Sequence, residues 1–293
     1  MILAPDSLAD VFQRLADYQT RIGQPTVVRG LSTVRALDPR SNDLAQAVRS
    51  FLRSAYELWG TRAAVLAADH DQIPLRMVRV LQPTVEDIPT DTYYADLDGT
   101  WDRNGNGIYG EVADSLDMVP DLVVGRLPAT TRAEATAMVD KALRYMKSPP
   151  AGALTKNLML AEVLFPSEWT PGEFITTDGA VEAESLRVRV PGCAATERYY
   201  ENHTAYPGAV HLTKSATLSA ISRGHNVVVH VGHGSRSQIS VGSEIVTGTD
   251  LAAVSSGDSA ALWVSSNCAS AAADYDCVAE KLVRRPNGGA LAY

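Results

Sequence analysis

Val227-Val-Val-His-Val-Gly-His-Gly-Ser235 is the stretch that decides the fold. Val227 to Val231 is an apolar run broken only by His230, and such continuous runs mark strands buried in a parallel sheet. A Gly-His-Gly corner ends the run. Gly232 and Gly234 let the backbone turn tightly and leave room beside the His233 imidazole. In α/β proteins the C-terminal ends of parallel strands face the crevice where ligands bind. A second run of the same shape follows, Ala260-Ala-Leu-Trp-Val-Ser-Ser-Asn-Cys-Ala269. Its Cys268 stands where apolar residues give way to small ones. A histidine and a cysteine thus end two strands able to lie side by side, an arrangement that suits a thiol nucleophile with an imidazole base.

Outward from this stretch, strand and helix patterns alternate along the chain, which predicts right-handed βαβ units and a parallel sheet. Residues 2–4 read as a strand. The next helix carries Leu8, Val11, Phe12, Leu15 and Tyr18 at helical spacing, with Asp6 or Ser7 as its cap. Residues 25–29 and 62–68 are further strands. Between them lies a helix opened by Asn42 or Asp43, with Leu44, Val48, Phe51, Leu52, Ala55 and Leu58 facing inward. A strand at 76–81 precedes a long irregular segment, 83–120. A strand at 122–125 and a helix from Thr130 or Thr131 to Met146 complete the first half. Two prolines and small residues at 147–153 mark a linker, so the expected domains are 1–147 and 154–293. After it the alternation resumes: strands at 158–163, 195–200, 227–231, 260–265 and 289–293, helices at 173–188, 214–222, near Thr249 and at 275–284. Gly288 to Tyr293 reads as the start of a buried strand, from which we expect the natural protein to continue.

The 293 residues are 45% hydrophobic and 20% charged, ordinary globular composition and enough for one large α/β domain or two smaller ones. The net charge of −8 argues against nucleic acid as the main partner. No apolar stretch reaches membrane-spanning length, and the N-terminus lacks signal-peptide features. Three cysteines, Cys193, Cys268 and Cys277, do not make a disulfide framework.

A free cysteine attacks as thiolate, and a nearby imidazole or helix N-terminus lowers its pKa. Cys268, ending a strand and preceding a helix, meets that requirement. His233 can act as acid and base, and the backbone N–H groups of Gly234 and Cys268 are natural oxyanion donors. A buried core cysteine and a turn histidine are the commoner fate of either residue alone. Their joint placement at successive strand ends favours catalysis. The set His230, His233, Cys268 and Cys277 is a poor zinc pattern, because His-x2-His does not share a strand face. Asp69-His70-Asp71 reads as a polar turn and Arg126 as a structural ion-pair donor.

The loop from Asp96 to Glu111 carries a second signal. Oxygen side chains alternate at Asp102, Asn104 and Asn106, with glycine at 107 and a carboxylate at Glu111. Alternating Asp and Asn with glycine sixth is how a short loop wraps Ca²⁺. Asp96, Asp98, Asp102, Asn104, Asn106, Ile108 and Glu111 are the candidate ligands of a structural calcium ion, although the closing Glu comes earlier than in an EF-hand. The segment after the strand at 158–163 carries Glu162, Glu168, Glu173 and Asp178, with no Lys or Arg between Lys156 and Arg187. An anionic floor there favours a cationic guest.

Taken together these motifs resemble the gingipain-type cysteine peptidases, peptidase family C25 of the caspase-like clan. Asp91-Thr-Tyr-Tyr-Ala-Asp-Leu-Asp-Gly-Thr-Trp-Asp102, Pro120-Asp-Leu-Val-Val-Gly-Arg-Leu-Pro128, Val231-Gly-His-Gly-Ser235 and Ser266-Asn-Cys-Ala269 occur in the family's order. The resemblance implies a caspase-like α/β fold, mostly parallel sheets flanked by helices in two side-by-side subdomains. It implies Cys268 as nucleophile, His233 as acid and base, a calcium-binding aspartate-rich loop and an extracellular or cell-surface setting. It also implies an acidic residue orienting the histidine, either Glu162 or Glu168, and an acidic residue in the specificity pocket, either Asp178 or Glu173. The expected activity is cleavage of polypeptides, with preference after basic residues. The rivals are a catalytically silent caspase-like scaffold and a calcium-stabilised adhesion module.

Overall fold

The computed structural model describes residues 1–39, 43–82, 84–189 and 195–293. It divides into two compact units, Met1–Val139 with Ala272–Asp274, and Asp140–Ala271 with Tyr275–Tyr293. Among the described residues no helix is long and apolar enough to cross a membrane.

The first unit opens with β1 (Ile2–Ala4), α1 (Ala9–Arg21), β2 (Val28–Gly30), α2 (Leu31–Leu37), α3 (Leu44–Trp59) and β3 (Ala63–Leu66). A hairpin of β4 (Arg76–Gln82) and β5 (Thr84–Thr90) follows, then α4 (Thr92–Ala95), β6 (Val123–Arg126) and the start of α5 (Arg132–Lys147). The sheet runs β2-β1-β3-β6, all parallel. Leu3, Val48, Phe51, Leu52, Leu66 and Tyr94 are buried together in its core. Arg126 pairs with both carboxylate oxygens of Asp91 at 2.7 Å and also donates to the carbonyls of Ala68 and Ile73, the structural role expected of it. Asp69, whose Oδ1 lies 2.8 Å from His70 Nδ1, accepts a bond from Thr130 Oγ1, as a polar turn at the end of β3.

Three expectations here need correction. Neither Asp6 nor Ser7 caps α1; Asp6 instead accepts the N–H of Ser32 at 3.0 Å and the Ser32 hydroxyl, so it caps α2. Gly30 permits this, since a Cβ there would meet Asp6 Oδ1 at 2.2 Å. Leu58 is 77% exposed, beyond the buried arc of α3. Asp43 accepts the Gln46 N–H at 3.2 Å and is the cap of α3; the alternative, Asn42, lies outside the described residues. The irregular segment begins with a true strand, β5. Pro89 and the paired acids argue against one, but both strands of a two-stranded ribbon are edges, and edges tolerate proline.

The second unit takes in the end of α5 and adds α6 (Ala151–Leu154), β7 (Lys156–Ala161), α7 (Gly179–Arg187), β8 (Ala195–Tyr200), β9 (Val210–His211), α8 (Lys214–Ser222) and β10 (Val227–Val231). Three short strands come next, β11 (Gly234–Ser235), β12 (Gln238–Val241) and β13 (Glu244–Thr247), then α9 (Gly248–Ala253), β14 (Ala261–Ser266), α10 (Val278–Arg284) and β15 (Ala290–Ala292). The main sheet runs β15-β14-β10-β7-β8-β9, all parallel, and β11-β12-β13 form a separate antiparallel sheet that the sequence reading does not foresee. Two helices start later than expected, α7 at Gly179 and α10 at Val278. Asp178 caps α7 and Thr247 caps α9, accepting the N–H of Ala180 and Asp250.

Asp6→Ala removes the cap of α2 while leaving the sheet intact. It should destabilise the protein by about 1 kcal/mol, read as a lowered urea midpoint at unchanged slope. No change in midpoint would show that the Asp6 to Ser32 bonds contribute nothing net.

Candidate active site

The strand register assembles this site. β10 pairs with β7 on one side and β14 on the other, setting Val231 level with both Ala161 and Ser266. Three parallel strands therefore end together, and the residues just beyond them, Glu162, the 232–234 corner and Asn267 with Cys268, emerge side by side. The ladder continues one step past the strands, through Glu162 N–H to Val231 O at 3.0 Å and Gly232 N–H to Ser266 O at 3.1 Å. The two glycines answer a steric demand. A Cβ at Gly232 would lie 2.5 Å from Glu162 Oε2, and one at Gly234 would lie 2.9 Å from Asn267 Cγ and 3.2 Å from the Cys268 carbonyl oxygen. Only glycine lets the histidine corner approach the cysteine turn this closely.

Glu162 is buried, and its carboxylate holds backbone: Oε2 accepts the His233 N–H at 2.6 Å, Oε1 the Gly242 N–H at 2.8 Å. It orients His233 through the main chain rather than through the ring. Burial pushes its carboxyl up to about 7, against the pull of the two N–H groups. The other acid considered for this role, Glu168, has a side chain outside the described part of the structure. The His233 ring has Nε2 2.8 Å from the Leu164 carbonyl oxygen. A carbonyl only accepts, so Nε2 carries the proton and Nδ1 is the basic nitrogen of the neutral ring. Phe165 meets this imidazole edge-on, with centroids 6.5 Å apart. Ser240 N–H bonds the His233 carbonyl at 2.9 Å. Gly234, next along the antiparallel ladder, therefore turns its own N–H away from β12.

Cys268 carries an exposed free thiol. It sits in a turn after β14, and α10 begins only at Val278, so the expected helix N-terminus is not beside it. Ala269, directly after it, takes a left-handed φ of 53°, unusual for a residue with a Cβ. Cys277 is buried at the N-cap of α10, its thiol pushed up by burial; Cys193 lies outside the described residues. A buried polar chain that sequence reasoning missed supports the turn. His230, fully buried, has Nε2 2.9 Å from the Ser240 carbonyl oxygen, so that nitrogen is the donor. Its Nδ1 then accepts from Asn267 Nδ2 at 3.2 Å, with Ser265 Oγ 3.0 Å away. Asn267 Oδ1 accepts from Ser270, whose hydroxyl lies 2.8 Å from that of Tyr293. Burial lowers His230 to about 4, so it stays neutral and is no second base.

Asp178, at the N-terminus of α7, is buried and already engaged: Oδ1 accepts the Ala180 N–H at 2.9 Å and Oδ2 the Asn202 amide at 3.1 Å. Glu173 is exposed, and its backbone carbonyl accepts from Asn202 at 2.8 Å.

In the first unit, the loop residues 102–111 bond mostly one another. Asp102 accepts the Gly107 N–H at 3.1 Å, Asn104 the Asn106 N–H at 3.0 Å and Asn106 the Ile108 N–H at 2.8 Å. Glu111 Oε1 accepts the amides of Asn104 and Asn106 at 2.6 and 2.8 Å. The acids that converge are Asp96, Asp98 and Asp121, with one oxygen from each inside a 4.8 Å set. Asp121 is distant in sequence, and only the fold brings it there. Asp96 is fully buried, its Oδ2 has no hydrogen-bond partner, and burial raises its carboxyl. An orphaned carboxylate oxygen beside two more acids fits a hard cation with oxygen ligands.

A thiol and an imidazole presented from the ends of neighbouring parallel strands are the working parts of a cysteine peptidase. The chain matches the model of peptidase family C25 over residues 1–293, and it belongs to that family. It is 25% identical over 208 residues to Lys-gingipain of Porphyromonas gingivalis, covering 70% of this chain and 10% of that protein. An uncharacterized protein of Archaeoglobus fulgidus is 24% identical over 210 residues, covering 71% of this chain and 46% of its own length. The chain thus spans about a tenth of the gingipain and less than half of the archaeal relative. Among solved structures it superposes on the Arg-specific cysteine proteinase gingipain R with a TM-score of 0.73 at 17% identity, covering 99% of this chain and 61% of that one. For the complex of the Porphyromonas gingivalis RgpB pro- and mature domains the TM-score is 0.71 at 18% identity, over 99% and 61%. These likenesses establish the gingipain-type, caspase-like α/β fold.

The raised Glu162 carboxyl makes stability pH-dependent. Its folded value of about 7 exceeds the ordinary 4.5, so the folded state holds this proton more tightly. The stabilisation is complete below about pH 4.5 and lost as pH rises through 7, roughly 3 kcal/mol in all. Denaturant midpoints across pH 5 to 8 should show that slope, and Glu162→Gln should flatten it. An unaltered slope in the variant would assign it to another group.

Proposed function

We propose that this chain carries the catalytic centre of a cysteine endopeptidase acting on polypeptides. The observation that supports it is the common ending of β7, β10 and β14, just beyond which stand Glu162, the His233 corner and the Cys268 turn. In this reading His233 Nδ1 takes the thiol proton and Cys268 Sγ attacks the scissile carbonyl carbon. The N–H groups of Gly234 and Cys268 receive the developing oxyanion. The C–N bond breaks as His233 gives its proton to the leaving amine, leaving a thioester on Cys268. Water, deprotonated by His233, then releases the acid and restores the thiol. Glu162 fixes the position of the His233 backbone throughout.

The acidic segment 162–178, free of Lys and Arg, supports a basic residue before the cut, although both carboxylate oxygens of buried Asp178 are already engaged by Ala180 and Asn202. Two of the relatives bear names that specify Lys and Arg. Peptide reporters test both parts: cleavage should be faster after Arg or Lys than after Leu or Asp, and Cys268→Ala should abolish it without unfolding the protein. Full turnover by the variant would end the assignment of Cys268, and faster cleavage after Leu or Asp would end that of the pocket.

The convergent acids support a structural Ca²⁺ held by Asp96, Asp98 and Asp121. Bound there, the ion supplies positive charge that offsets three carboxylates. At a hundredfold excess over Kd, binding to the folded state adds roughly 2.7 kcal/mol. Chelator should lower the Tm and Asp98→Ala should remove that response; equal melting with calcium and with chelator would leave the cluster as ordinary acids.

A further inference from the structure

We infer that the loop beyond β7 forms a subsite for an apolar side chain of the polypeptide, on the residue directly after the cut; this rests on the peptidase reading above. A groove of about 610 Å³ is lined by Phe165, Ser167, Phe174, Ile175, Thr176 and Thr177. Among the described residues no charged side chain lines it. The two phenylalanines are 63% and 64% exposed and line one groove rather than standing singly.

The groove adjoins His233 through one lining residue, Phe165. Leu164 offers its carbonyl oxygen to His233 Nε2 at 2.8 Å, and Phe165, the next residue, packs edge-on against that imidazole while forming one wall. Acyl transfer gives this contact a direction. The acyl part of the substrate stays on Cys268, and the nitrogen that departs takes its proton from His233. The residue bearing that nitrogen therefore lies on the histidine side, where Phe165 opens the groove.

The loop is also held in shape. Val163 and Asp178 bridge its base, and Gly179 N–H bonds the Glu162 carbonyl at 2.9 Å. Buried Asn202 accepts the Gly172 N–H at 3.0 Å and donates to the Glu173 carbonyl at 2.8 Å. A groove fixed before binding loses little in ordering when a guest enters. The Asp178 carboxylate is turned to Ala180 and Asn202 and is not among the lining groups, so among the described residues the groove offers contact area and no charge.

The whole protein should be assayed on internally quenched decapeptides that carry a mixture of residues before the cut and Leu, Phe, Ala, Asp or Lys after it, with cut sites mapped by mass spectrometry. kcat/KM should favour Leu and Phe over Asp and Lys by at least about tenfold, as expected when apolar surface enters an apolar pocket. Phe174→Ala should shrink the ratio of Leu to Ala peptides, and Phe174→Lys should raise Asp over Leu. Equal rates across the series, or variants that lower all peptides alike, would overturn the subsite and leave the peptidase reading standing. Cleavage of none of the peptides would overturn both.

Discussion

Parallel pairing in register is the constraint on which the second unit depends. Val231 lies level with Ala161 and Ser266, so the chain leaves three neighbouring strands at one height. Because side chains alternate faces along a strand, a slip of one residue in any of the three would point its residues the other way. β7 and β10 are buried on both faces while β14 buries only one, with Ala261 and Trp263 inward, and the residues beyond the strands inherit their positions from this pairing. The site is thus a by-product of core packing: the valines of β10 bury themselves, and the histidine corner follows.

Local devices then refine that placement. Glycines at 232 and 234 remove the two side-chain atoms that would collide. Glu162 satisfies two backbone donors from inside the protein, at the cost of an ionisation made harder by burial. His230, Asn267, Ser270 and Tyr293 form a chain in which each hydrogen bond fixes the role of the next. A buried network of this kind specifies one geometry, because any misplaced member strands its neighbours without partners.

Much of this was legible in the sequence. Alternating apolar periods announced the parallel sheets, and the two apolar runs that end before His233 and Cys268 are neighbouring strands as expected. What stayed hidden has a common character. Asp121 joins Asp96 and Asp98 only through the fold. The polar chain behind Cys268 depends on tautomers and side-chain directions that no spacing encodes. Glu162 acts through a main-chain N–H, which every residue but proline has, so residue type gave no hint of it. Asp178, which the resemblance implied as one candidate for the specificity pocket, also caps a helix, and capping was visible only once α7 was seen to begin at Gly179. Local turn chemistry misled at Asp6, whose carboxylate serves a helix that follows β2 rather than the one beside it.

Glu162 divides its two oxygens between His233 and Gly242. Gly242 belongs to the tight turn joining β12 to β13, nine residues on from His233 in sequence yet tied to the same carboxylate. The turn and the histidine corner are therefore one mechanical piece. Pulling the ribbon tip outward would strip the carboxylate of a donor, and a buried acid with one donor holds its proton more tightly than one with two. Motion at the tip would be translated into protonation beneath the histidine, and protonation into slack in the main chain that carries it.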